Sequence, residues 1–117
     1  MLQVTAGPSF QNGRTLRKIA AIDIGTNSTH LLVASVDPEL RTFSIELAEK
    51  STTRLGERDP ETGNLSEAAI ERGLEALRRF RELALSHQVE QIVTAATSAV
   101  REAPNGRDFL QEIQDQF

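Results

Sequence analysis

The sequence predicts an α/β domain on a mixed sheet, with its elements in the order β-β-β-α-β-α. Three observations carry this reading. Two runs of β-branched and aliphatic residues, 19–24 and 31–36, flank a short polar break and read as consecutive strands. Residues 42–48 then alternate, with Phe43, Ile45 and Leu47 on one side and Thr42, Ser44 and Glu46 on the other, which is the period of a half-exposed third strand. One long apolar stripe at helical spacing, 66–86, separates these strands from a fourth apolar run at 89–95. Short connections make the first three strands an antiparallel meander. The helix is the crossover that a fourth strand, parallel to the first, requires.

The break between the first two strands is the most informative stretch. It holds Asp23 and, after Ile24, the run Gly25, Thr26, Asn27 and Ser28. Gly25 allows a backbone approach that a Cβ would block, and Asn27 tolerates unusual turn dihedrals. Successive amides in such a turn form a concavity for anions, and Thr26, Asn27 and Ser28 add side-chain donors. Asp23 is placed to hold a cation, or to orient water, beside the anion. The same pattern also describes an ordinary hairpin turn, and four residues alone are a weak motif.

Before this turn, residues 1–17 show no periodicity and carry loop signals at Gly7, Pro8 and Ser9 and at Asn12 and Gly13, so a flexible N-terminal tail is expected. Arg14, Arg17 and Lys18 read as solvated charge at a strand end. After the third strand, residues 50–64 form a polar loop with Gly56, Asp59, Pro60 and Gly63. Loops this long inside compact domains are often functional. Lys50, Arg54 and Arg58 lie on it and either face the same anion as the turn or are simply solvated.

In the long helix Ser66 is a suitable N-cap and Glu67 suits the positive end of the dipole. Ile70, Gly73, Leu74, Leu77, Phe80 and Ala84 form the inward stripe. Glu75 with Arg79, and Arg78 with Glu82, are expected as i,i+4 pairs on the outer side. Arg72, Arg78, Arg79 and Arg81 read as a solvated face, because glutamates interleave them and the chain has no Tyr or Trp. Residues 94–103 then run off the end of the fourth strand, where ligands of open α/β sheets bind. Small residues there leave room, and Arg101 suits bidentate contact with phosphate. A short final helix spans 108–116, with Phe109, Leu110 and Ile113 inward.

Composition excludes other classes. A chain of 117 residues is one domain or part of one, and it buries roughly two-thirds of the surface it exposes when unfolded. A formal charge of −4 gives no support to a general nucleic-acid or membrane surface. The absence of cysteine removes disulfides, thiolate metal sites and cysteine nucleophiles. No apolar run reaches bilayer length and the start lacks a secretory core, so a cytoplasmic protein is expected. His30 and His87 have no second ligand at metal spacing and read as structural.

The stretches 21–33 (AIDIGTNSTHLLV), 54–57 (RLGE), 65–77 (LSEAAIERGLEAL) and 94–110 (TAATSAVREAPNGRDFL) closely resemble the exopolyphosphatase/guanosine pentaphosphate phosphohydrolase family. The resemblance runs from about residue 18 to the end. It implies a ribonuclease H-like lobe of the actin, sugar-kinase and heat-shock ATPase type. It also implies hydrolysis of terminal phosphoanhydride bonds with Mg²⁺, releasing orthophosphate from polyphosphate or guanosine pentaphosphate. By position, Asp23, Gly25, Thr26, Asn27 and Ser28 match the family's first phosphate loop, with Asp23 also the candidate metal contact. Arg101 matches the arginine at the scissile phosphate, and Arg54 a basic position on the loop before the long helix.

The family's general-base glutamate and its glycine-rich second phosphate loop have no counterpart in these 117 residues. Glu102 matches a position that is not catalytic in the family. The resemblance therefore implies the first lobe of a two-lobed enzyme over residues 18–117, inactive by itself. Its second lobe would be a partner within the same polypeptide, and the full protein a homodimer, with no nucleic acid and no membrane among its partners. Two other readings stay open: a lobe of an ATP-dependent kinase or ATPase of the same fold, and a non-catalytic phosphate- or alarmone-binding module.

Overall fold

The structure, a computed structural model, describes residues 2–5, 9–11 and 14–117. Its elements are β1 (Leu2–Thr5), β2 (Ser9–Gln11), β3 (Arg14–Ile24), β4 (Thr29–Asp37), β5 (Thr42–Ser51), α1 (Glu67–Ser86), β6 (Gln91–Ala96), α2 (Ser98–Glu102) and α3 (Gly106–Gln116). The strand order is β1-β6-β3-β4-β5, with β2 paired to β3. β3, β4 and β5 form the expected antiparallel meander, and β6 lies parallel to β3 through the α1 crossover. The predicted mixed sheet and core order therefore stand.

The N-terminal segment departs from the expected tail. Leu2–Thr5 pairs antiparallel with β6, and Ser9–Gln11 pairs with the start of β3, which begins at Arg14 and not at residue 19. An edge strand such as β6 presents unpaired amides and carbonyls, and a short extended segment satisfies them. The loop signals at Gly7, Pro8, Asn12 and Gly13 lie outside the described residues. Arg17 and Lys18 are not free solvated charge, because Arg17 pairs with buried Glu90 and Lys18 lies 3.5 Å from Glu46.

One face of the sheet carries the core. Ala20, Ile22 and Ile24 of β3 and Leu31 and Val33 of β4 are buried, while Ala21, Asp23 and Leu32 between them are exposed. Period two thus sends alternate residues to α1, whose Ala69, Gly73, Leu74, Ala76, Leu77, Phe80 and Ala84 are the buried stripe. Ser66 caps α1 as predicted, its hydroxyl accepting from the Ala69 amide at 3.1 Å. Phe109 and Ile113 of α3 complete the core, with Leu110 packed at its margin.

Three local expectations fail for tertiary reasons. In β5 the register jumps from Val33↔Leu47 to Ala34↔Ile45, leaving Glu46 as an extra residue. The bulge reverses the alternation, so Leu47 packs on the core while Phe43 and Ile45 are 69% and 56% exposed. The expected pairs Glu75–Arg79 and Arg78–Glu82 are replaced: Arg79 approaches Glu49 and Arg78 approaches Glu71, each at 3.9 Å. Arg72 is not solvated either, since it donates from Nε to the Thr53 carbonyl and from Nη2 to Glu57.

Candidate phosphate site at the sheet edge

β3 and β6 are parallel and end side by side, with Ile24 opposite Ala96. The turn at 25–28 leaves β3 there, and α2 leaves β6. In the turn the Gly25 amide donates to the Ser28 carbonyl at 3.0 Å. A Cβ on Gly25 would lie 2.7 Å from that same carbonyl oxygen, so the turn closes only around glycine. The Gly25 amide is thereby consumed. Those of Thr26, Asn27 and Ser28 make no hydrogen bond among the described residues, and Thr26 and Asn27 are exposed.

The RLGE loop docks on this turn through its backbone. The Arg54 amide donates to the Asn27 carbonyl at 3.0 Å, and the Gly56 amide to the Thr26 carbonyl at 2.8 Å. A Cβ on Gly56 would meet the Thr26 methyl at 2.7 Å, so the approach needs a bare backbone. Underneath, the hydroxyls of Thr29 and Thr53, both almost wholly buried, bond to each other at 2.9 Å. Glu57 is held by Arg72 at 3.1 Å and by Ser66 at 3.3 Å, so this glutamate fastens the loop to α1. Arg54 itself sits in the left-handed region, φ 50°, which a non-glycine residue adopts at a cost.

On the other side, Thr97 donates from its amide and its hydroxyl to the Ile24 carbonyl, at 3.0 and 3.1 Å. This ties the start of α2 to the last residue of β3. Gly106 lets the start of α3 close on α2, because a Cβ there would fall 1.8 Å from the Val100 carbonyl oxygen. Arg101 stands exposed in the last turn of α2.

The structure thus gathers Gly25, Thr26, Asn27 and Ser28 with the backbones of Arg54 and the α2 start at one sheet edge. Arg54, Arg101 and Asp23 are exposed and form no side-chain hydrogen bond or ion pair among the described residues. Asp23 lies across from His30 and Ala95 in register, on the face away from the helices. Arg58, expected as a possible anion contact, is instead half-buried and donates to the carbonyls of Gly63 and Ala99. Lys50, in β5 opposite His30, is exposed. Sequence reasoning missed Thr53, Thr97 and Arg58 as parts of the scaffold. The proline- and glycine-marked loop gave a signal for Thr53 and Arg58 and the small-residue strand end one for Thr97, but no more, because their partners are distant in the chain.

Comparison with known proteins identifies the family and the fold. The family model described as the Ppx/GppA phosphatase family matches residues 32–117. The chain belongs to that family. It is similar to exopolyphosphatase 2 of Mycobacterium tuberculosis, 38% identical over 102 residues that cover 86% of this chain and 32% of that protein. It is equally identical, over 102 residues, to a bifunctional 3-dehydroquinate synthase/phosphatase of Fusobacterium nucleatum, covering 83% of this chain and 15% of that one. Among solved structures, the Aquifex aeolicus Ppx/GppA family member superposes with a TM-score of 0.79 at 33% identity, covering 86% of this chain and 32% of that chain. A Cytophaga hutchinsonii exopolyphosphatase gives 0.77 at 32% identity, covering 85% and 31%. The actin-like fold class expected from the sequence is the fold of these neighbours. The chain spans under a third of the length of each of these relatives. No helix among the described residues is long and apolar enough to cross a membrane.

Proposed function

We propose that the chain is the phosphate-holding lobe of a hydrolase that releases orthophosphate from terminal phosphoanhydride bonds, with polyphosphate or guanosine pentaphosphate as substrate. The single observation that supports it best is the unspent donor set at the sheet edge. The amides of Thr26, Asn27 and Ser28 and the side chains of Arg54 and Arg101 have no partner among the described residues, while hydrogen bonds of Thr29, Thr53, Arg72 and Thr97 hold the elements around them. Donors fixed in advance favour charge on phosphoryl oxygens, because they need no reorganisation when that charge develops.

In this reading the amides of Thr26, Asn27 and Ser28 cradle one phosphoryl group. Arg54 and Arg101 neutralise its oxygens. Asp23 suits Mg²⁺ in one respect: the ion commonly takes one or two carboxylates and fills its shell with phosphate and water oxygens. No group of three or more acids or histidines that could hold a metal ion occurs among the described residues. Asp23 would therefore hold the ion in company with the substrate, directly or through water. When bound, the ion supplies charge neutralisation at the bridging oxygens. Of the two glutamates near this edge, Glu57 is engaged by Arg72 and Ser66, and Glu102 is an exposed residue at the end of α2, while Asp23 is assigned to the ion. Activation of water falls to the remainder of the length over which the relatives extend.

Titration of the ¹⁵N-labelled chain with tripolyphosphate, with and without Mg²⁺, tests this. The expected result is weak binding, with shifts at the amides of 26–28, weakened in Arg101→Ala, and no release of orthophosphate. Shifts elsewhere, or shifts unaffected by Arg101→Ala, would refute the site. Stronger binding of ATP than of tripolyphosphate would favour the kinase-type reading. Tight binding of tripolyphosphate or guanosine pentaphosphate by the chain alone would favour a sensor module.

A further inference from the structure

We infer that Arg58 is a positioning residue that fixes Arg101 against the phosphate turn by joining the RLGE loop to α2. The inference rests on the proposed function for the role of Arg101, but its structural half stands independently. α2 is five residues long, and a helix of that length has no stability of its own. Its carbonyls near the C-terminal end lack intrahelical partners and carry partial negative charge. Arg58 meets that need: its guanidinium donates from Nη2 to the Ala99 carbonyl, two residues before Arg101. From Nη1 it donates to the Gly63 carbonyl at 3.0 Å, and its backbone bridges Leu65. One planar fork thus holds α2 and both sides of the loop together, a geometry that a lysine cannot reproduce.

The loop, in turn, is bonded to the turn through Arg54 and Gly56. A continuous path of hydrogen bonds and backbone therefore runs from the Thr26 and Asn27 carbonyls of the turn through the loop to Ala99, and from there to Arg101. A second tie runs parallel: the Asn105 side chain accepts from the Leu65 amide at 2.8 Å and donates to its carbonyl at 3.3 Å. That tie acts on the α2–α3 junction, beyond Arg101. Arg58 also carries a cost, since its Nε is buried without a partner among the described residues. An apolar side chain filling this space would avoid that cost but could not bond two carbonyls.

The test compares Arg58→Met, which keeps bulk and removes the donors, with Arg58→Lys in the whole chain. Amide exchange is read at Val100 and Arg101, which bond to the Thr97 carbonyl, and at Ala20 and Ile22 in the core of β3. Exchange at Val100 and Arg101 is expected to rise about tenfold in Arg58→Met, and less in Arg58→Lys, with Ala20 and Ile22 unchanged. Tripolyphosphate affinity is expected to fall about fivefold, and this loss to vanish in an Arg101→Ala background. Unchanged exchange at α2 would overturn the inference. So would an affinity loss that persists undiminished with Arg101→Ala, because Arg58 would then touch the anion itself. Should Arg58→Met lose its fold, Arg58→Lys decides by the same readouts. If the wild-type chain shows no tripolyphosphate shifts, the proposed function fails, and exchange alone still decides the role of Arg58.

Discussion

Replacing Arg54 by glycine and by alanine separates its backbone from its side chain. At φ 50° an L-residue loses roughly 1–2 kcal/mol relative to the right-handed region. Glycine removes that strain but gives the unfolded chain more freedom, worth about 0.5–1 kcal/mol in the opposite direction. Arg54→Gly should therefore leave stability unchanged or raise it by up to about 1.5 kcal/mol. Arg54→Ala keeps the strain, and since the side chain is exposed and unpartnered among the described residues, its stability should stay within about 0.5 kcal/mol of wild type. Both lose the guanidinium. One charge-assisted hydrogen bond to phosphate, at about 1.5 kcal/mol, corresponds to roughly a tenfold loss of tripolyphosphate affinity. Thermal melts and an NMR titration at low ionic strength measure the two effects separately. The reasoning fails if Arg54→Gly costs more than about 1 kcal/mol, or if affinity survives in both variants. The first result would mean that the backbone is not strained. The second would mean that the anion is not met by this side chain.

The buried hydroxyl pair gives a sharper structural prediction. Thr29→Val or Thr53→Val alone leaves an unsatisfied hydroxyl and should cost about 1–3 kcal/mol in urea unfolding, whereas the double variant should recover most of that loss. Additive losses would show that the two hydroxyls act apart. At the other side of the site, Gly106→Ala drives a Cβ onto backbone, 1.8 Å from the Val100 oxygen, and no rotamer relieves it. A loss of at least about 2 kcal/mol is expected in the same assay, and near-neutral behaviour would show that the α2–α3 junction is loose.

Much of this fold was legible locally. The alternation in β3 and β4, the stripe of α1 and the Ser66 cap depend on residues a few positions apart, so their period alone fixes which side turns inward. The turn at 25–28 was legible for the same reason: glycine is demanded by a contact three residues away, with the Ser28 carbonyl. The segment 1–17 was not, because its strands depend on β6 and β3 as partners, and β6 is some ninety residues distant from β1 in the chain. Nor was the exposure of Phe43 and Ile45, which follows from one unpaired residue, Glu46, in a register that only β4 defines.

The four arginines around the site show where the division falls. In the sequence, Arg54 and Arg58 share a polar loop and Arg72 reads as a solvated helix residue. Arg101 is set apart by its place after a small-residue strand end, and Arg54 and Arg101 by the family resemblance. In the fold, Arg58 reaches a carbonyl 41 residues away, and Arg72 one 19 residues away, and both become fasteners. Arg54 and Arg101 meet no acceptor among the described residues and keep their charge available. The amino-acid pattern fixed the core β-β-β-α-β-α elements (but not β1, β2 or α2), the turn and the residue types that could serve a phosphate. Tertiary structure decided which cations remain free to do so, because an arginine is spent or spared by acceptors that only folding brings within hydrogen-bond reach.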